Sequence, residues 1–214
     1  GVDTLVDGAH APGVCELALD QLNAAYFTGN LHKWVCAPKG AAFLWAREDK
    51  QADLLPAVVS HGLNRPRAGF TEFQDRFDWA GTLDPSPWFC VGDAITWMGA
   101  LLPGGWPELR EANHQLVLNA RRNLASALKV EPPCPESMLG SMATLPLPPE
   151  FQSRPSGGKI DDEQLRLYDQ FGIEVPFVRL PSSTPARWFR ISAQIYNTPE
   201  DYRYLAHALK KSES

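Results

Sequence analysis

A lysine ε-amine can condense with an aldehyde to form a Schiff base, and a carboxylate can keep a pyridine-type nitrogen protonated. Lys33 lies in Thr28-Gly-Asn-Leu-His-Lys-Trp34, and Val6-Asp-Gly-Ala-His-Ala-Pro-Gly13 ends 20 residues before it. The chain therefore offers a carbonyl-reactive amine preceded by Asp7, a carboxylate that directly follows the short apolar run Thr4-Leu-Val6. Neither residue type is unusual alone; their order, their spacing and the apolar run carry the signal. Far downstream, Arg190 stands in Phe189-Arg-Ile-Ser192. Its planar fork matches a carboxylate bidentately and keeps its charge, whereas a lysine shifts its pKa readily and can attack a carbonyl.

These groups need elements to hold them, and the chain is long enough to provide them. At 214 residues and 23.7 kDa it fits one large or two small domains. Hydrophobic residues at 44% and charged residues at 21% match an ordinary globular mixture, which excludes disordered and fibrous classes. A formal charge of −5 without a basic cluster argues against a nucleic-acid surface; the pair Arg121-Arg122 falls in a helical pattern. No apolar run approaches the roughly 18 residues of a membrane span, and the first residues lack the plan of a signal peptide, so no membrane partner and a cytoplasmic location are expected. Cys15, Cys36, Cys90 and Cys134 are too widely spaced for a zinc site and read as free, mostly buried thiols, so no metal is expected. Nineteen prolines and seven tryptophans suggest many fixed turns around a cofactor-sized cleft. Gly1 runs into an apolar strand without a turn or cap, as in a piece of a longer chain.

Thr4-Leu-Val6 reads as the end of a buried strand and Asp7 to Gly13 as the loop beyond it, where α/β proteins place catalytic groups. A helix over Val14 to Asn23, strands over Ala25 to Thr28 and Ala41 to Trp45, and a Pro38-Lys-Gly40 turn follow. Residues 48 to 55 suggest a helical turn. Leu63 to Pro87 has no steady period, but its aromatic residues favour an ordered functional loop. A helix over Trp88 to Leu101 closes residues 1–102. Pro103-Gly-Gly-Trp-Pro107 marks the boundary to residues 103–214 and stops any helix before Glu108. Beyond it, Leu109, Leu116, Ala120, Leu124 and Leu128 share one helical face, with Arg110, Glu111, Arg121 and Arg122 mostly elsewhere. Strands are expected over Ser141 to Leu147, Ile173 to Leu180 and Trp188 to Ala193. A helix over Asp161 to Phe171 is stopped by Gly172, and a last helix is capped by Thr198-Pro-Glu-Asp201. The proline-rich connection Glu131 to Gly158 is the least regular part.

With these residues in place, the sequence resembles the class-V aminotransferase family of pyridoxal phosphate enzymes, in its isopenicillin N epimerase-like branch. The matching segments are Val6-Asp-Gly-Ala-His10, Gly29-Asn-Leu-His-Lys-Trp34 with Pro38-Lys-Gly40, Gly81-Thr82-Leu-Asp-Pro-Ser86, and Phe189-Arg-Ile-Ser192 followed by Tyr196-Asn-Thr198. They occur in the family's order over nearly the whole chain. The resemblance implies an α/β fold of fold type I: residues 1–102 as the carboxyl-terminal part of the pyridoxal phosphate-binding large domain, residues 103–214 as a small α+β domain. It implies pyridoxal 5'-phosphate as cofactor, an amino-acid substrate and a homodimer.

By the same resemblance Lys33 would carry the cofactor as a Schiff base and serve as the proton-transfer base. Asp7 would pair with the ring nitrogen and His10 would sit near the phenolic oxygen. Asn30 and His32 would reach the phosphate, Thr82 would contact the phosphate of a neighbouring subunit, and Arg190 would hold the substrate carboxylate. Three departures stand beside this. The family's upstream phosphate loop and ring-stacking residue have no counterpart in these 214 residues. Ala25 stands where an aspartate is common. No cysteine lies between Gly172 and Phe189, where desulfurases of the family carry their sulfur acceptor. Epimerisation at the α-carbon is the nearest named reaction, a cysteine-type C–S lyase or desulfurase-like reaction is the enzyme alternative, and a non-catalytic dimerisation or binding module is the alternative outside catalysis. Thr82 also suits a plain turn, and Arg190 a plain salt bridge on a strand.

Overall fold

The computed structural model describes residues 1–152, 160–180 and 186–211, and the chain divides into two compact units, Gly1–Leu101 and Leu102–Ser214. In the first, strand β1 (Leu5–Asp7) pairs in parallel with β2 (Tyr26–Asn30), across helix α1 (Leu19–Leu22). Strand β3 (Ala42–Ala46) returns antiparallel to β2, with Asn30 opposite Ala42 and Tyr26 opposite Ala46. The sheet order is β1-β2-β3. Its core is small, built from Ala24, Ala25, Phe27, Trp34, Val35, Ala37, Ala41 and Ala46. Phe27 stacks on Phe43 with ring centroids 6.0 Å apart. Helices α2 (Glu48–Gln51), α3 (Glu72–Asp78), α4 (Ser86–Phe89) and α5 (Val91–Gly99) complete the unit.

Several expectations change here. The strand leading to Asp7 is not buried: β1 has only β2 beside it among the described residues, and Leu5 is 62% exposed. The helix expected from Val14 shrinks to α1, one turn ended by Asn23 in the left-handed region at φ 53°. The segment read as aperiodic, Leu63 to Pro87, contains α3. Thr71 Oγ1 accepts from Gln74 N at 3.2 Å and Gln74 Oε1 accepts from Thr71 N at 2.9 Å, a capping box. The apolar period was hidden because α3 buries a carboxylate: Asp75, 3% exposed, accepts from Arg67 N at 3.0 Å and Arg67 Nε at 2.6 Å. The guanidinium bond, with the backbone bond beside it, holds the Asp75 carboxyl below the ordinary carboxylate range. Cys15, Cys36 and Cys90 are exposed and Cys134 is half-buried, so the thiols are free but not mostly buried.

The second unit begins with α6 (Gly105–Leu128), which starts before Glu108 despite Pro107. Pro107 falls in the first turn, where a backbone N–H has no intrahelical partner to lose, and Glu108 Oε2 accepts from Gly104 N at 2.6 Å. Arg121 is buried rather than displayed, its guanidinium donating to the Cys134 carbonyl. Strands β4 (Met142–Pro146), β5 (Phe177–Arg179) and β6 (Arg187–Ser192) form an antiparallel sheet in the order β4-β6-β5. Helices α7 (Pro149–Gln152), α8 (Asp162–Phe171) and α9 (Pro199–Lys210) surround it. Leu124, Leu128, Leu145, Phe151, Leu167, Phe189, Leu205 and Leu209 interlock in one core. Gly172 ends α8 at φ 63° and Asp201 Oδ2 accepts from Thr198 N at 2.9 Å, as both caps were expected. Part of the Glu131 to Gly158 connection lies outside the described residues.

A buried ion pair ties elements of this unit together. Arg187, 2% exposed, forms an ion pair with Asp161 and donates to the Phe151 carbonyl, joining β6 to α7 and α8. Asp161 Oδ1 also accepts from Glu163 N at 3.0 Å, capping α8. Asp161→Ala should therefore destabilise the protein by about 3–5 kcal/mol, because it strands a buried guanidinium and removes a cap; chemical denaturation followed by circular dichroism measures it.

Candidate active site

The site is built where two loops leave adjacent strands. Parallel pairing sets Asp7 opposite Thr28, and Gly8 N donates to Thr28 O at 2.9 Å, so the chain leaves β1 against the end of β2. It turns at once, with Ala11 N donating to Gly8 O at 2.8 Å and Cys15 N to Ala11 O at 3.1 Å. Gly8 is required for this approach: a Cβ there would lie 2.0 Å from Phe27 Cζ. Gly13 has φ 84°, and a Cβ there would lie 3.0 Å from both the carbonyl carbon and the Cβ of Trp34. The loop after β1 is thus shaped to receive the loop after β2.

That second loop is a closed hairpin connection. Leu31 N donates to Ala41 O at 2.9 Å and Ala37 N to Leu31 O at 3.0 Å, so Lys33 sits at the head of a fixed turn. Cys36 N donates to Lys33 O at 3.2 Å with Cys36 in the left-handed region at φ 61°. Partial burial pushes the Cys36 thiol up from its ordinary range, which disfavours the thiolate.

Side chains from the two loops meet at His10. Its Nε2 lies 3.2 Å from Lys33 Nζ, and its Nδ1 accepts from Trp34 Nε1–H at 3.2 Å. Asp7 Oδ1 accepts from Ala9 N at 3.0 Å, which orients the carboxylate at the strand end. His32 donates from Nδ1 to Ala41 O at 2.9 Å, which leaves Nε2 as its remaining polar edge. Asn30 ends β2 next to this turn. Asp7 and Asn30 at the ends of β1 and β2, with His10, His32 and Lys33 in the two packed loops that follow them, therefore lie at one end of one sheet.

Thr82 and Arg190 lie on other elements of the chain. Thr82 is exposed on the loop between α3 and α4, following Gly81 at φ 121°. Asp84 Oδ1 accepts from Ser86 N at 2.9 Å to start α4, so the segment is a real turn as well as a motif. Arg190 lies on β6 of the second unit, opposite Thr144, and its Nε is buried without a hydrogen-bond partner among the described residues. Arg76, Arg121 and Arg187 share that feature, so the orphaned atom alone does not single out Arg190 as a ligand-binding group.

Trp34 is the residue of the site that is missing from the set expected from the sequence. It is 8% exposed and does pack in the core, yet its indole N–H is spent on His10. Its position next to Lys33 was the available signal.

The residues present fit pyridoxal phosphate by their chemistry: an amine for the aldehyde, a carboxylate for the ring nitrogen, and imidazoles and an amide for the oxygens. The comparisons agree with this reading. No protein-family model matches the chain. It is 34% identical over 224 residues to an isopenicillin N epimerase of Amycolatopsis lactamdurans, covering 99% of this chain and 52% of that protein. A probable chloroplastic L-cysteine desulfhydrase of Arabidopsis thaliana is 31% identical over 220 residues, covering 98% of this chain and 44% of its own length. Among solved structures, an apo cysteine desulfurase from Thermococcus onnurineus NA1 superposes with a TM-score of 0.74 at 20% identity, over 98% of this chain and 52% of that one. The fold is that of a fold-type-I pyridoxal phosphate enzyme, in its carboxyl-terminal portion. The chain is similar to isopenicillin N epimerases and L-cysteine desulfhydrases, and it spans about half the length of the curated relatives it matches.

The packing of the two loops makes a direct prediction. Gly13→Ala forces a side chain into the left-handed region and against Trp34, so stability should fall by about 1–3 kcal/mol, read as a lower denaturation midpoint with an unchanged slope.

Proposed function

We propose that this chain carries the lysine-bearing part of a pyridoxal phosphate-dependent enzyme that acts at the α-carbon of an amino acid. The observation that carries this reading is the meeting of His10 Nε2 and Lys33 Nζ at 3.2 Å, beside a strand that ends in Asp7. The bound group would supply an electron sink that makes the α-proton of an attached amino acid acidic. Lys33 would bind it and move that proton, Asp7 would hold the ring nitrogen's proton, and His10 would donate to an oxygen at the ring's edge. His32 and Asn30 would orient the phosphate, and Arg190, with its unpaired Nε, would hold the substrate carboxylate. The reaction proposed first is epimerisation, supported by the 34% identity to the Amycolatopsis protein. Elimination from a cysteine-type substrate is the second reading, supported by the 31% identity to the Arabidopsis desulfhydrase.

A homodimer is part of the proposal. Phe89 on α4 is 79% exposed and Trp97 on α5 is 63% exposed, with Trp88 also open to solvent, an aromatic surface suited to a second copy. Thr82 would then face the phosphate of the neighbouring subunit. Among the described residues no helix is long and apolar enough to cross a membrane.

Borohydride treatment of the whole protein with pyridoxal phosphate should fix the cofactor covalently on Lys33, located by peptide mass spectrometry. Lys33→Ala should lose that adduct and lower turnover by about 10²- to 10⁴-fold or more, the scale of a removed general base. In heavy water, α-deuteration of an L-amino acid with inversion supports epimerisation, while release of pyruvate and ammonia supports the lyase. A folded whole protein that gives no adduct on Lys33 would refute the reading.

A further inference from the structure

We propose that Trp34 is a positioning residue that fixes the tautomer of His10 and so determines which face of the imidazole meets Lys33. The inference rests on the proposed role of Lys33, but its geometry is independent of any bound group. A neutral imidazole carries one N–H and one bare nitrogen. Indole Nε1–H is a donor only, so at 3.2 Å from His10 Nδ1 it requires Nδ1 to be the bare nitrogen. The proton then belongs to Nε2, the nitrogen that lies 3.2 Å from Lys33 Nζ. An Nε2–H donor complements the lone pair of a lysine amine, the form that attacks a carbonyl, and it would equally serve an oxyanion held at that place. A hydrogen-bond acceptor at Nε2 would instead complement the ammonium form, which has no lone pair to react.

The rest of the loop packing serves this contact. Trp34 is 8% exposed, so its N–H competes little with water, and the absence of a side chain at Gly13 lets the backbone of Trp34 approach the loop that carries His10. The segment Asp7-Gly-Ala-His-Ala-Pro-Gly13 and the dipeptide Lys33-Trp34 thereby act as one unit: Lys33 reacts, His10 donates, and Trp34 sets the direction of that donation.

Nitrogen-15 NMR of the protein without added cofactor tests this. The expected wild-type result is a bare-type Nδ1 and a protonated Nε2 for His10, with a nitrogen–nitrogen coupling across the hydrogen bond to Trp34 Nε1. In Trp34→Phe, which keeps an aromatic ring but loses the donor, the ratio of Nδ1–H to Nε2–H forms should rise about fivefold, the equivalent of one ordinary hydrogen bond. A wild-type His10 protonated mainly on Nδ1, or lacking the coupling, overturns the proposal, and this measurement stands even where the variant does not fold. A folded Trp34→Phe with an unchanged ratio overturns it as well. Because the readout needs no cofactor, it fails or succeeds separately from the borohydride adduct on Lys33.

Discussion

Everything at the site depends on the parallel pairing of β1 with β2. With Leu5 opposite Tyr26 and Asp7 opposite Thr28, both strands deliver their following loops to the same end of the sheet. A one-residue slip would turn Asp7 to the opposite face and move His10 away from Lys33. Parallel pairs need a crossover of a dozen or more residues, and residues 8–25 supply it, so the carboxylate and the amine must be distant in sequence to be neighbours in space. Gly8 and Gly13 then permit loop contacts that any side chain would obstruct.

Around that constraint the side chains divide their work by chemistry. His10 joins the two loops through both ring nitrogens, at 3.2 Å to each partner, so neither Lys33 nor Trp34 can shift without disturbing it. His32, whose Nδ1 is committed to Ala41 O, presents its other nitrogen in a fixed direction. Arg190 belongs to a different unit with its own core. That unit is anchored by the buried Arg187–Asp161 pair, and Arg190 lies three residues along the same strand from Arg187. The strand carries one arginine held by an ion pair and a backbone carbonyl, and both of its arginines keep an unfilled Nε among the described residues.

Much of this was legible in the sequence because motifs report local geometry. Asp7 after an apolar run, Lys33 before Trp34, Gly172 after α8 and Thr198-Pro-Glu-Asp201 before α9 each stand where the expected turn or cap forms. What was not legible follows from interactions between distant residues. The helix α3 buries Asp75 against Arg67, so its polar face points inward and defeats a hydrophobic period. Pro107 looks like a barrier and is a tolerated first-turn residue. Trp34 looks like core, and its volume is, but the contact of its N–H with a residue 24 positions away could only be seen in three dimensions.

The most direct measurement is a crystal structure of the whole protein grown with pyridoxal phosphate. The account predicts continuous density from Lys33 Nζ to the cofactor, with the Asp7 carboxylate against the ring nitrogen and His10 at the ring's edge. A cofactor joined instead to Lys39 or Lys50, or bound away from Asp7 with Lys33 still resting on His10, would contradict it.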